Sequence, residues 1–177
     1  MAPAKLDRNI KIRITKHFRD IDFSLSKLRK LIRTICRRFE KNKPAHPDKS
    51  SNKYEISVVV VDNAEFKKIN HQFLRRKSLS DCLSFDLSDD NESGSPKNFE
   101  LIINGQMAVR QANLRGHSAE AELALYITHG LLHNFNFDDL EPVKAEIMHA
   151  KEDEILQELG YGFVYNTSIE PENNRNR

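Results

Sequence analysis

Thr128-His129-Gly130-Leu131-Leu132-His133-Asn134-Phe135-Asn136-Phe137-Asp138-Asp139 begins as a helix, loses its helical pattern after His133 and ends on two acids. His129 and His133 are four apart, so a helix puts both imidazoles on one face, one turn apart. A metal can bind both there without bending the chain. Leu123, Leu125, Ile127, Leu131 and Leu132 surround the pair, which sets it beside a core-facing stripe and not in a polar tail. Asn136 is of a residue type that enters the left-handed region readily. A reversal there returns Asp139, six residues beyond His133, towards the histidines. Three protein ligands with an open fourth position are the arrangement of catalytic zinc. Two imidazoles and a carboxylate also suit iron, nickel or manganese. His-Glu-x-x-His peptidases share the spacing but need the glutamate as general base, and Gly130 occupies that position.

Outward from this stretch, the helix starts at Ser118, an N-cap followed by Glu120 and Glu122 in the first turn, and ends near Phe135. Pro142 suits the first turn of a final helix to about Leu159, closed by Gly160. On this helix Glu146, Lys151, Glu152 and Asp153 read as a solvated face. Upstream, Ile10 to Ile14 alternates as an exposed strand would. Leu25, Leu28, Leu31, Ile32, Ile35 and Cys36 keep helical spacing between about Ser24 and Lys41. Tyr54 to Val61 is β-branched, with the run of a buried strand. Asp62 or Asn63 can cap a helix through about Phe73. Cys82 to Leu87 and Phe99 to Ile103 read as strands, the former an edge strand. A helix from about Gly105 to Leu114 ends at Arg115-Gly116. Residues 42–53 and 88–97 read as loops, the second mobile. These elements predict a single α+β domain over residues 1–165, with one small four-stranded sheet, about five helices and the metal site at the end of a central helix. Residues 166–177 are expected to be a disordered tail.

The block His129-Gly130-Leu131-Leu132-His133, a four-residue loop and Asp138-Asp139 resembles the His-Gly-x-Leu-His…Asp-His signature of the YbeY family of ribosomal RNA maturation endoribonucleases. A second family block resembles Asn70-His71-Gln72-Phe73 with Ser80-Asp81-Cys82-Leu83-Ser84-Phe85, and a weaker third resembles Phe99 to Ile103. The resemblance runs from about Ile10 to Gly160. It implies a mixed sheet with the metal helix packed on it. It also implies one zinc ion per chain, single-stranded RNA as substrate, and a role in 16S-type 3′-end maturation and ribosome quality control with the ribosomal small subunit or its proteins. Three departures stand out. Asp139 replaces the usual third histidine, which leaves a competent ligand but a more electron-rich metal. Leu74 replaces an arginine associated with RNA contact, with Arg75 and Arg76 next. Asp86 replaces a proline. A catalytically weakened RNA- or ribosome-binding metalloprotein, or a zinc hydrolase of another substrate, is the alternative these departures leave.

Charge is divided along the chain. Residues 1–77 carry 21 Lys+Arg against 8 Asp+Glu, or +13; residues 78–177 carry 7 against 18, or −11, giving the overall +2. Such asymmetry points to a partner or to internal pairing. Arg29, Arg33 and Arg37 recur every four residues and can share a helix face suited to a phosphate backbone. We expect His129 and Arg75 to carry chemistry, Arg76, Lys77, Arg33 and Arg37 to bind substrate, and His129, His133 and Asp139 to hold the metal. His149 and Asp138 are alternative third ligands, though Asp138 reads rather as a partner that orients a histidine. His17, His46, His71 and His117 lie in polar surroundings and read as surface residues. The absence of Trp argues against a base-stacking platform. Two distant cysteines, Cys36 and Cys82, no leader-like segment and no membrane-length apolar run predict a cytoplasmic protein without membrane contact and with no DNA partner.

Overall fold

The computed structural model describes residues 9–40, 53–89 and 95–165. The expectations for the tail at 166–177, for His46, and for most of the loop at 42–53 fall outside these residues, as does part of the 88–97 loop.

Four strands form one mixed sheet in the order β1-β2-β4-β3, with β1 at Ile10–Lys16, β2 at Tyr54–Val61, β3 at Cys82–Asp86 and β4 at Lys97–Asn104. β1, β2 and β4 run parallel, and β3 pairs antiparallel to β4 as the edge strand the sequence predicted. Alternation explains how the Val58–Val61 run is used. Ile56, Val58 and Val60 enter the main core with Leu101 and Ile103. Val61 and Ile102 enter a smaller core on the other face with Phe66 and Leu83. β4 begins two residues before the predicted Phe99 because Leu87 and Lys97 extend its pairing through backbone bonds.

Five helices cover the sheet: α1 at Leu25–Phe39, α2 at Asn63–Leu74, α3 at Gly105–Arg115, α4 at Ala119–Asn134 and α5 at Pro142–Glu158. The N-caps are local chemistry: Ser24, Asp62, Asn104 and Ser118 each accept from a backbone N–H in the first turn. α4 is the central helix. Every residue from Ala121 to Leu132 except His129 is buried, as a helix enclosed on all sides requires. It packs on β3 and β4 on one side and on α1, α3 and α5 elsewhere.

Gly130 marks a close approach of α4 to the sheet. A Cβ there would lie 2.9 Å from Leu101 Cδ2 and 3.2 Å from Cys82 Sγ. Ser84 Oγ donates to the Gly130 carbonyl at 2.8 Å. The position a peptidase would use for its glutamate therefore faces the sheet, and a side chain there could not reach the histidines' ligand face. No helix among the described residues is long and apolar enough to cross a membrane.

Candidate metal centre

α4 delivers His129 and His133 on one face, with ring centroids 4.5 Å apart. The chain then reverses as expected: Asn136 is left-handed at φ 66°. Two phenylalanines fix the reversal. Phe135 packs against Phe39, Tyr54 and Phe99, and Phe137 packs edge-on to Phe39 at 5.1 Å. The alternation Phe135-Asn136-Phe137 thus anchors the loop into the aromatic core and returns Asp139 to the helix end.

The three predicted ligands meet. His129 Nε2 and His133 Nε2 are 3.1 Å apart. Asp139 Oδ2 lies 3.8 Å from the first and Oδ1 3.8 Å from the second. Ligand atoms at zinc-bond length in a tetrahedron are about 3.4 Å apart, so the observed separations bracket what an ion needs. Among the described residues this is the only group of three or more His, Cys, Asp or Glu side chains converging in this way.

The opposite ring atoms decide which nitrogens converge. His129 Nδ1 sits 2.8 Å from Glu152 Oε1, and His133 Nδ1 sits 3.1 Å from the Phe137 carbonyl. Carbonyls and ionised carboxylates only accept, so each Nδ1 carries the hydrogen. Both Nε2 lone pairs then face each other beside an acidic oxygen. With both rings neutral, three acceptors and no donor form a cation site. Burial alone would lower the His129 pKa, but the bond to Glu152 and the charges of Asp81, Glu152 and Asp139 outweigh it, and the net shift is upward.

Three expectations about neighbours are corrected. Asp138 does not orient a histidine; it accepts from Leu140 N and Lys144, because the loop turns its side chain towards the start of α5. His149 does not converge with the triad and is not a plain surface residue: its Nδ1 is bound to Glu152 Oε2 at 2.8 Å and its ring stacks on Tyr165. Glu152 and Asp153 are not a solvated face but are buried. Their signal was in the sequence: Met148, Glu152, Ile155 and Leu156 keep the spacing of one core-facing stripe. His117 is likewise drawn inward, with Nε2 2.9 Å from Oε2 of the buried Glu122, which Arg115 also meets at 3.2 Å.

The basic residues are distributed over two elements. Arg75, Arg76 and Lys77 are exposed on the loop from α2 to β3. Asn70 Nδ2 donates to Ser78 O, and Asn104 donates to Asn63 Oδ1 and Ser80 O, which pins the loop and brings Asp81's charge to bear on His129. Arg33 and Arg37 lie on α1 and are not drawn into the triad; Arg33 is half-buried and Arg37 exposed. Neighbours in that basic row are engaged internally: Lys27 with Glu120, and Arg38 with Glu154 and Glu158.

Comparison with known proteins identifies the family and the fold. The family model described as Endoribonuclease YbeY matches residues 13–160. Proteins called Endoribonuclease YbeY from Lysinibacillus sphaericus and Ureaplasma urealyticum are 34% and 39% identical over 116 and 99 residues. The first alignment covers 61% of this chain and 74% of the relative, the second 56% and 63%. The solution structure of TM1509 from Thermotoga maritima superposes with a TM-score of 0.51 at 22% identity, covering 84% of this chain and 88% of that one; it supports the fold.

Proposed function

The chain belongs to the YbeY endoribonuclease family, and from that premise we propose that it is a metal-dependent endoribonuclease that cuts single-stranded RNA in ribosomal RNA maturation. One observation carries the metal: three potential ligand atoms converge at the end of α4, where each histidine's Nδ1 faces an acceptor and its Nε2 faces the other ligands. One zinc ion per chain, held by His129, His133 and Asp139, answers that arrangement. Bound there, it would supply a Lewis acid for a phosphate oxygen or a water acidified for attack.

The chain's own groups do the rest. His129 and His133 present neutral Nε2 atoms because their Nδ1 hydrogens are already committed. Asp139 adds a negative charge that reduces the net charge of the bound ion. Arg75 neutralises the scissile phosphate from the pinned loop in place of the arginine that Leu74 replaces. Arg76 and Lys77 hold flanking phosphates, and Arg33 and Arg37 contact the backbone further along. Substrate is thereby held chiefly by charge, as expected without an aromatic platform. The working unit is residues 1–165, with the ribosomal small subunit as partner and the cytoplasm as its compartment.

The test is cleavage of a labelled single-stranded RNA by protein stripped with chelator and reloaded with zinc. Wild type is expected to cut only when reloaded, and His133→Ala to lose at least ~100-fold in rate. Metal-loaded wild type that binds the RNA without cutting it would select the weakened RNA-binding metalloprotein.

A further inference from the structure

We propose that Glu152 is the positioning residue of the metal centre and that His149 and Tyr165 lock it, so that the chain after α5 governs how tightly the triad holds its ion. This rests on the metal reading above. Glu152 is fully buried, and its ionic partners are two imidazoles: Oε1 meets His129 Nδ1 and Oε2 meets His149 Nδ1, both at 2.8 Å. A buried carboxylate is costly unless hydrogen-bonded on both oxygens. Here two N–H donors meet that need, and each imidazole is left with its Nε2 lone pair free. For His129 that atom is the one facing His133 and Asp139.

The far side of Glu152 is held by packing. The His149 ring lies parallel to Tyr165 at 3.6 Å between centroids, and near-parallel to His129 at 6.5 Å. Tyr165 is fixed in turn. Its backbone N–H and that of Val164 donate to Asp153 Oδ1, at 3.1 and 3.3 Å. Adjacent buried acids on α5 therefore have complementary tasks. Asp153 pins the segment that follows α5, and the ring from that segment holds His149 against Glu152. Glu152 then fixes which nitrogen of His129 meets the metal. Loss of such an outer partner lowers metal affinity by about 10- to 100-fold.

The experiment measures zinc affinity by chelator competition and the His129 tautomer by 15N NMR of zinc-free protein, for wild type, Glu152→Leu, Glu152→Gln and Tyr165→Ala. Glu152→Leu removes both acceptor oxygens at similar volume. It is expected to weaken zinc ~10- to 100-fold and to release His129 from its Nδ1-protonated form. Glu152→Gln keeps one acceptor oxygen and should fall between, which also covers a Leu variant that fails to fold. Tyr165→Ala should weaken zinc several-fold. Wild-type zinc affinity and an unchanged His129 tautomer in a folded Glu152 variant would overturn the proposal while leaving the metal centre intact. So would a lower melting temperature alone, the mark of a merely structural role. If wild type itself took no zinc, the metal reading would fail, and an unchanged tautomer in the Glu152 variants would separately overturn the positioning role.

Discussion

His129 is where proton and metal compete for one atom. Its pKa lies above the ordinary 6.5 in the metal-free protein, burial being outweighed by the Glu152 bond and the neighbouring acids. The imidazolium's contribution to stability is therefore full below 6.5 and is lost as pH rises through the raised value. Zinc binding has the opposite slope, since the proton must leave before Nε2 can ligate. Above 6.5 zinc affinity should climb with pH while the metal-free melting temperature falls; a zinc affinity flat across the His129 titration would contradict the assignment of His129 as a ligand. Arg75 offers a second residue-scale test. It caps α2 in the left-handed region at φ 54°, its N–H bonded to His71 O. Glycine is the better residue for that conformation. Arg75→Gly should keep or raise the melting temperature while weakening RNA binding and reducing its salt slope by about 1. Unchanged RNA affinity would remove Arg75 from the phosphate-binding set.

At the scale of elements, α4 is placed by a glycine contact that also holds the edge strand. Gly130→Ala would gain ~1 kcal/mol of helix propensity. It would also push a methyl group into Leu101 and Cys82, an overpacking that costs roughly 1–3 kcal/mol. We expect a net loss of stability and early loss of β3 amide protection, measured by denaturant titration and hydrogen exchange; a stabilised variant would show that α4 can shift off the sheet. The elements were legible where a periodicity or a cap announced them. The stripe of α1, the Val58–Val61 run, the Ser118 cap and the Asn136 reversal all stand as read. The convergence of His129, His133 and Asp139 was legible because the three fall within a stretch of eleven residues. The burial of Glu152 was signalled by the stripe of α5, but its pairing with His129 was not, because it spans 23 positions and two helices. Asp138 was misread for the converse reason: adjacency to a ligand says nothing about where a loop points the side chain.

The whole molecule uses its divided charge in two ways. Part is consumed internally, where Lys27 and Arg38 of the basic half meet Glu120, Glu154 and Glu158 of the acidic half. The rest includes Arg75, Arg76 and Lys77 on the loop that leads into the sheet edge beside α4. The triad occupies the end of α4, backed at His129 by Glu152 of α5. A sheet with both faces covered holds these parts in register. On the proposed function, this frame holds one metal ion. Elemental mass spectrometry of freshly purified protein tests that most directly, comparing wild type with His133→Ala and Asp139→Ala. Close to one zinc per wild-type chain is expected, lost in both variants while each remains folded; folded wild type with no metal, or variants that keep it, would overturn the metal centre.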